Sequence, residues 1–522
     1  MSGPPPLPSA EPPSGVDPVV DAALPGLRGR SARGGALLLG AQAVLFIAAL
    51  ASTAVLARVL TVRDFGLFFM VAVLVSFVSS FRDFGFPMAT VHAPHIEQRA
   101  VSALFWLNAR LNAALLVAMV ALAPLLAWFF RERQLVAMTV VLAASLTANG
   151  LTKIHLGLLR RELRFAAVTA ITVTAALAGV AVAIVAALAG AGFWALVLQQ
   201  VVQHVGETVG LWTACRWRPS GPARAPHGDE AYTALRRYGG DVTVARVLTH
   251  VAQNLDAVLV GRFVGTVALG LYQNAYRWAT VLLEQLYTPL QAVVVATLSR
   301  VRDDTERYRS HFRAVVRAVM AVVVPALVLL FLEARAFVLV LLGPQWVEAI
   351  PLFRILLVGA LAANVPFVLK WVYYSEGQTR RQRSWAFIAT PVTVVAVAAG
   401  VAGGATGVAA GFAASQVALT YPAVRYCLAR SGLRERDFWS VVWRPAVTSL
   451  LAAGAVVAAQ RAGLVWDRQL YHLIAATLFF GAAYAGSWVM TPGGRTELAA
   501  MWRVVTALRD SGEELGDAPA QR

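Results

Sequence analysis

The chain has 522 residues, of which 58% are hydrophobic and 14% are charged, and its mean hydropathy is +0.64. A globular chain carries about 25% charged residues, so this composition excludes most soluble proteins and predicts a polytopic membrane protein. The net charge of +17 would suggest a nucleic-acid partner in a soluble protein, so the positions of the basic residues decide between the two. Cys215 and Cys427 are the two cysteines, too few for a disulfide framework and without the clustered spacing of a metal site.

The first 33 residues are rich in Pro, Ser and Gly and contain no apolar run long enough to bury. This composition predicts a disordered tail over residues 1–33. Arg28, Arg30 and Arg33 lead into an apolar run that is long enough to span, and no small-residue cleavage site follows it. We therefore expect the first hydrophobic segment to remain in the mature protein rather than to be a signal peptide.

Fourteen segments of the remaining chain are long and apolar enough to cross a membrane. A bilayer core about 30 Å thick needs about 20 mostly apolar residues per helix. The sequence therefore predicts an all-α polytopic membrane protein, in which the seventh and eighth spans carry several polar residues. The predicted spans lie near residues 35–57, 66–86, 102–130, 135–158, 165–188, 193–215, 239–261, 270–298, 312–333, 348–373, 385–402, 405–428, 441–460 and 469–490.

The basic residues are distributed unequally between the two sides of this topology. Of the 45, of which 43 are arginines, 32 fall on the side of the N-terminus, 8 on the opposite side and 5 inside apolar segments. Because cytoplasmic loops carry the excess of Lys and Arg, both termini are predicted to be cytoplasmic in a multi-pass protein of the bacterial inner membrane. Most of the net charge is thus explained by topology, and no nucleic-acid partner is expected.

An internal repeat relates the first part of the chain to the middle part. The segment ARVLTVRDFGLFFMV (57–71) matches GRFVGTVALGLYQNA (261–275) at an offset of 204, which aligns Arg58 with Arg262 and Gly66 with Gly270. Each copy lies in an outer turn, and a shift of six spans gives both copies the same orientation, related by an axis along the membrane normal. The repeat predicts two six-helix lobes around a central cavity, which is the construction of an alternating-access transporter.

The domain boundaries follow from this repeat. The two lobes leave two additional helices near the C-terminus, and the last segment places Leu498, Met501, Trp502, Val505 and Leu508 on one helical face, either on the membrane surface or docked on the protein. The predicted units are a disordered cytoplasmic tail (1–33), an N-terminal lobe (34–216), a cytoplasmic connector (217–238), a C-terminal lobe (239–430), two additional transmembrane helices (431–491) and an amphipathic cytoplasmic tail (492–522).

Polar side chains recur at helical spacing within several spans, so each set shares a helix face. A charged residue at membrane depth costs about 2.5–3.5 kcal/mol on insertion scales and normally faces a water-filled cavity or a partner. The sets are Gln199, Gln200, Gln203, His204 and Glu207 in the sixth span; Thr243, Arg246, His250, Gln253 and Asn254 in the seventh; and Asn274, Arg277, Thr280 and Glu284 in the eighth. Arg110 with Asn108 and Asn112 in the third span, and Arg354 in the tenth, add cationic points.

Four strings of the chain resemble a known family. They are RVLTVRDFGLFFMVAVLVSFVSSFRDFGFPMATV (58–91), QRAVSALFWLNARLNAALL (98–116), NLDAVLVGRFVGTVALGLYQNAYRWA (254–279) and LLGPQWVEAIPLFRIL (341–356). Over about residues 35–460 the chain resembles the polysaccharide transporter family of Wzx-type oligosaccharide flippases, which is related in fold to multidrug exporters of the MATE type and to the lipid II flippase. The resemblance implies two bundles around a V-shaped cavity that opens alternately to each side. The implied function is translocation of an undecaprenyl-pyrophosphate-linked oligosaccharide from the inner to the outer leaflet for exopolysaccharide or O-antigen synthesis.

The embedded arginines suit such a cargo, because a pyrophosphate dianion matches guanidinium groups and amides serve sugar hydroxyls. The alternative for each arginine is a structural ion pair, Arg246 with Asp256 or Asp241 and Arg277 with Glu284. The expected partners are the lipid bilayer, the lipid-linked oligosaccharide and other polysaccharide-assembly proteins. The candidate substrate-binding residues are Arg110, Arg246, Arg277, Arg354, Asn108, Gln203, Gln253 and Asn274.

Directional transport needs an energy source, and the sequence contains no nucleotide-binding loop of the GxxxxGK[ST] type. A proton or sodium gradient is the candidate source, no cofactor or metal is expected, and no catalytic residue is predicted. The candidate ion-coupling residues are Glu207, Asp256, Glu284, His204 and His250.

Two other functions fit parts of the sequence. A MATE-like, cation-coupled drug exporter would share the fold, but the first span has no acidic residue and the polar faces are richer in arginine than in acid. A membrane polymerase or ligase of polysaccharide synthesis would need a substantial outer loop for its catalytic groups, and the predicted outer loops are short. The chain is therefore predicted not to be an enzyme.

Overall fold

The computed structural model describes residues 24–82, 98–162, 164–221, 254–463, 469–491 and 494–495, and within these ranges it contains helices and turns but no strand. The α-helices are α1 (Leu24–Val59), α2 (Val62–Arg82), α3 (Gln98–Phe130), α4 (Leu135–Gly150), α5 (Lys153–Arg161), α6 (Phe165–Leu188), α7 (Trp194–Ala214), α8 (Thr266–Arg300), α9 (Thr305–Leu332), α10 (Ala334–Leu341), α11 (Ala349–Ser375), α12 (Thr379–Gly400), α13 (Gly404–Leu428), α14 (Glu435–Arg461) and α15 (Gln469–Met490).

The all-α membrane fold predicted from the sequence is confirmed, and thirteen of the predicted spans coincide with described helices. The seventh, 239–261, lies mostly outside the described residues, although residues 254–264 are helical. By length and composition, ten segments of the described chain can cross a membrane, one of which, Thr379–Leu428, folds as the two helices α12 and α13. The number fourteen therefore stays a prediction. Helices α7 and α8, which carry two of the polar faces, are not among these ten segments of the described chain.

The start of the first helix differs from the sequence prediction. Helix α1 begins at Leu24, so residues 24–33 of the segment predicted to be disordered are helical. Pro25 is tolerated in a first helical turn, and adding turns to a helix that already exists is easier than nucleating a new one. The rest of the N-terminal tail, most of the connector and most of the C-terminal tail (1–23, 222–238 and 496–522) lie outside the described residues.

The helices pack into two lobes and a hairpin. In the N-terminal lobe (24–221), α6 packs on α1 and α7, and α4 packs on α2, α3 and α7. In the C-terminal lobe (254–433), α11 packs on α8, α9 and α13, and α12 packs on α13. The hairpin of α14 and α15 attaches to the C-terminal lobe through α9 and α10.

Contacts between helix ends define two faces of the bundle. At the distal face, the turns after α1, α3 and α6 lie together, as the hydrogen bond from Phe193 N to Asp64 Oδ1 (3.0 Å) and the ion pair of Arg63 with Glu132 (2.9 Å) show. At the basic face, Gln98 Nε2 at the start of α3 donates to Arg218 O in the segment after α7 (2.9 Å), and Arg309 Nε of α9 donates to Gly432 O in the turn after α13 (2.9 Å). The name of the basic face refers to its arginines, such as Arg160, Arg164, Arg300 and Arg380.

The two copies of the internal repeat contact each other at the distal face. Near the start of α2, a Cβ atom added to Gly66 would lie 1.9 Å from Thr266 O, and one added to Gly270 in α8 would lie 2.3 Å from Val62 O. Thr266 and Gly270 are the repeat equivalents of Val62 and Gly66, at the same offset of 204. The sequence repeat thus forms a pseudo-two-fold crossing of α2 and α8, in which only glycine allows the two backbones to approach so closely.

Candidate functional site

A cavity of about 400 Å³ lies between the lobes, with walls from α1 and α2 on one side and α8 on the other. It begins one turn below the glycine crossing, where Phe69 and Gln273 occupy equivalent positions of the two repeats. The crossing therefore bounds the cavity toward the distal face. The lining residues are Gln42, Leu45, Phe46, Ala49, Phe69, Gln273, Tyr276, Arg277, Trp278, Thr280, Val281, Glu284 and Gln285.

Arg277 and Glu284 are the charged residues among this lining. They lie two helical turns apart on α8, and their charges attract each other. The Arg277 guanidinium also lies 5.8 Å from the centroid of the Trp278 ring. The sequence left open whether Arg277 lines a cavity or is paired with Glu284. The structure places both side chains at the same cavity, within electrostatic reach of each other.

Amide and aromatic side chains complete the walls. Gln42 Nε2 donates to Gln285 Oε1 (2.9 Å), which links α1 of the N-terminal lobe to α8 of the C-terminal lobe. Gln273 and Tyr276 add further polar atoms. Sequence reasoning missed these residues, although Gln42 had a signal: it is the one amide in the otherwise apolar stretch 34–51.

The predicted polar residues of the N-terminal lobe join its helices to each other instead of lining this cavity. Asn108 is fully buried and donates to Gly150 O (2.9 Å), so it fixes α3 against the end of α4. Gln203 donates to Glu207 (3.2 Å), which also accepts from Asn149 Nδ2 (2.8 Å). His204 Nδ1 lies 3.2 Å from Ser145 Oγ. The helical spacing of these residues identified the polar face of α7. It did not identify α4 as the helix on which this face packs.

Asp256 and Asn274 are buried beside the cavity rather than in its wall. Asp256 Oδ2 accepts a hydrogen bond from Tyr272 (2.7 Å), and Tyr272 stacks on the cavity residue Tyr276 at 6.2 Å. Asn274 is fully buried and donates to Gly270 O (3.2 Å) at the glycine crossing.

The other predicted arginines do not join Arg277. Arg110 on α3 and Arg354 on α11 are exposed and are absent from the lining of the described cavity. The predicted residues Arg246, His250 and Gln253 lie outside the described residues. Of the described candidates, the structure therefore brings Arg277 and Glu284 to the cavity.

The chemistry of the cavity is that of binding. A guanidinium group suits an anionic oxygen cluster, amides pair with hydroxyl groups, and aromatic rings pack on apolar or ring-shaped surfaces. Within the described ranges, no group of three or more His, Cys, Asp or Glu residues is placed to hold a metal ion.

A family described as polysaccharide biosynthesis protein matches residues 55–351. WzxC of Escherichia coli (strain K12), a lipopolysaccharide biosynthesis protein, is 25% identical over 318 residues, which are 60% of this chain and 63% of WzxC. TuaB of Bacillus subtilis (strain 168), a teichuronic acid biosynthesis protein, is 23% identical over 53% of this chain and 58% of TuaB. ExoT of Rhizobium meliloti (strain 1021), a succinoglycan biosynthesis transport protein, is 24% identical over 66% of this chain and 69% of ExoT. The chain thus spans slightly less than two thirds of the length of WzxC and TuaB.

Two solved structures share the fold. The lipid II flippase MurJ in an inward closed conformation has a TM-score of 0.67 at 11% identity, and the matched region covers 87% of this chain and 97% of the MurJ chain. A multidrug resistance transporter of the MATE family in an inward-facing conformation has a TM-score of 0.57 at 14% identity, covering 78% of this chain and 95% of its own. At these identities the likeness concerns the fold alone.

Proposed function

This chain belongs to the polysaccharide biosynthesis protein family, and we propose that it is a flippase for a polyprenyl-pyrophosphate-linked oligosaccharide, the precursor of an exopolysaccharide or O-antigen type of polymer. The observation that carries the proposal is the cavity between the lobes, where Arg277 stands among amide and aromatic side chains. The guanidinium would hold the pyrophosphate, and the amides would serve the first sugar hydroxyls. The relatives named for polysaccharide biosynthesis and transport support this assignment.

The proposed cycle alternates the access of the cavity. The basic face is cytoplasmic in the proposal, because cytoplasmic loops of membrane proteins are rich in arginine, and the protein resides in the bacterial inner membrane. The head group enters from the cytoplasmic leaflet while the distal face is closed by the crossing of Gly66 and Gly270. Separation of the two helices then exposes the head group to the outer leaflet. The chain moves its cargo across the membrane without changing it chemically, and so is not an enzyme.

We propose Glu284 as the residue that couples this cycle to a proton or sodium gradient. It is the acidic residue in the lining of the described cavity, two turns from the cation that binds the cargo. A carboxylate that loses or gains a counter-ion at this position changes the charge that the pyrophosphate meets. Coupled export of a cationic drug is the second candidate function, because the acidic Glu284 shares the cavity with the aromatic residues Phe46, Phe69 and Tyr276.

Substitution of Arg277 tests the proposal. In cells that depend on this gene for surface polymer, Arg277→Gln is expected to abolish polymer export and to accumulate the lipid-linked precursor, whereas Arg277→Lys retains part of the activity because it keeps the charge without the planar fork. Arg354→Gln is the matched control, since Arg354 is an exposed arginine outside the cavity lining. Normal polymer in the Arg277→Gln strain would contradict the site, and loss of drug resistance without loss of polymer would favour the drug exporter.

A further inference from the structure

Three helix ends meet where the lobes touch at the distal face. They are the C-terminus of α1 at Val59, the C-terminus of α10 at Leu341 and the N-terminus of α8 at Thr266. The last carbonyl groups and the first N–H groups of a helix have no partner within the helix itself. At the first two ends a missing partner comes from the opposite lobe, and at the third a carboxylate of the opposite lobe bonds the side chain of Thr266.

The end of α1 is capped by the turn that follows α10. Trp346 Nε1 donates to Ala57 O (2.9 Å), and Gln345 Nε2 donates to Ala57 O and to Leu60 O (3.0 Å). The Trp346 side chain is fully buried, and its ring meets Phe65 of α2 edge to face at 5.3 Å. The Gly-Pro-Gln-Trp turn thus supplies two donors and an aromatic anchor to the N-terminal lobe.

The end of α10 is capped in return by α1. Arg58 donates to Val340 O and to Leu341 O (3.4 Å), two carbonyl groups of the last turn of α10. Its repeat equivalent, Arg262, also reaches the other lobe, where its guanidinium lies 5.5 Å from the centroid of Phe129 at the end of α3. The two arginines of the internal repeat therefore both contact the opposite lobe.

The N-terminus of α8 has no acidic residue in its first turn, and Gly265 provides no side-chain cap. Glu132, from the turn between α3 and α4, accepts a hydrogen bond from Thr266 Oγ1 (2.8 Å). The same carboxylate pairs with Arg63 (2.9 Å), which holds it in place from within the N-terminal lobe. A carboxylate at this position complements the partial positive charge of a helix N-terminus.

We infer that these exchanged caps form a latch that sets the resting state of the protein with its distal face closed. Opening the distal face removes these contacts together, because each one joins opposite lobes. The net contribution of one hydrogen bond shifts an equilibrium by roughly two- to tenfold. The latch contains several hydrogen bonds, so their combined effect favours the closed state. The inference rests on the proposed function in one respect, that the distal face opens during transport.

Labelling of a cavity cysteine from the distal side tests the latch. Thr280→Cys places a thiol in the cavity wall, while the native Cys215 and Cys427 are buried. Right-side-out membrane vesicles are treated with a membrane-impermeant maleimide in the absence of cargo, and Gln134→Cys, at an exposed position in a distal turn, confirms that the reagent reaches the distal face. The labelling rate of the thiol introduced by Thr280→Cys is proportional to the fraction of molecules with an open distal face.

Two single changes release the latch at different caps. Thr266→Val removes the hydroxyl that Glu132 accepts from, with almost no change of shape, and Arg58→Gln removes the guanidinium from α10. Each is combined with Thr280→Cys and is expected to raise the labelling rate of the introduced thiol by roughly two- to tenfold. Thr297→Val on the same helix is the matched control, because the Thr297 hydroxyl bonds its own backbone at Val293 O and is exposed.

An unchanged labelling rate in both variants, or an equal rise in Thr297→Val, would overturn the latch. These outcomes are separate from failure of the proposed function, since the measurement needs no cargo. If the rate is unchanged while Arg277→Gln still abolishes polymer export, the flippase assignment stands and the latch does not.

Discussion

At the scale of single residues, burial separates the polar side chains that hold helices together from those that face the cavity. Spacing in the sequence identified both kinds, because both recur every three or four residues. Asn108 and Arg277 were both candidate substrate-binding residues, yet Asn108 is fully buried against Gly150 O whereas Arg277 lines the cavity. One sequence cannot distinguish them, since the neighbouring helix on which each face packs is a property of the tertiary structure.

Asn108→Ala is expected to lower stability without altering transport by the molecules that remain folded. The change leaves the carbonyl of Gly150 buried without its donor, which costs about 1–3 kcal/mol. Thermal unfolding of the purified protein measures the loss, and Ser384→Ala, at an exposed position that bonds only its own helix, serves as control with a change within about 0.5 kcal/mol. Wild-type stability combined with lost polymer export would instead identify Asn108 as a cargo contact.

Glu376 gives a prediction about pH. It lies in the turn between α11 and α12, where burial raises the pKa of its carboxyl above 4.5, although Tyr308 and the backbone near Gly432 partly oppose the shift. A raised pKa means that ionisation destabilises the fold as pH rises through the folded-state value. Glu376→Gln is therefore expected to raise the unfolding temperature at neutral pH and to have little effect below pH 4.5. A lower unfolding temperature at neutral pH would show that the charge stabilises the turn.

At the scale of helices, the internal repeat identified residues at a contact between two helices, whereas windows of apolar residues gave only approximate helix positions. The offset of 204 aligned Gly66 with Gly270, and in the structure these two glycines lie at one crossing of α2 and α8. The apolar windows instead merged α4 with α5, which are separated at Leu151 and Thr152. A hydropathy window averages over such a break, because the break is only two residues long.

A side chain at the glycine crossing is expected to keep the distal face open. Gly66→Leu would place its Cβ atom against Thr266 O, a backbone atom that cannot move aside alone. The expected result is faster labelling of Thr280→Cys from the distal side and loss of polymer export at normal protein abundance. Gly454→Leu is the matched control, since no atom lies within 4 Å of a Cβ added there. Wild-type labelling and export in Gly66→Leu would contradict the role of the crossing.

At the scale of the whole molecule, the net charge of +17 bears on the orientation of the chain in the membrane, whereas the fold determines the cavity. The sequence predicts that 32 of the 45 basic residues lie on the side of the N-terminus, where they bear on orientation rather than on cargo. The all-α fold followed from composition, and the division into lobes was suggested by the repeat. The cavity did not follow from either one, because its walls combine α1, α2 and α8 from distant parts of the chain.

The central claim is that the chain moves a polyprenyl-pyrophosphate-linked oligosaccharide between leaflets through the cavity of Arg277. Proteoliposomes containing the purified protein and a labelled lipid-linked oligosaccharide test it most directly, with a membrane-impermeant glycosidase added outside. We predict that the wild-type protein and Arg354→Gln expose the labelled lipid of both leaflets to the enzyme, and that Arg277→Gln exposes only the lipid of the outer leaflet. The proposed flipping through the cavity is contradicted if the glycosidase reaches no more lipid in wild-type vesicles than in vesicles without protein. It is also contradicted if Arg277→Gln exposes as much lipid as the wild type.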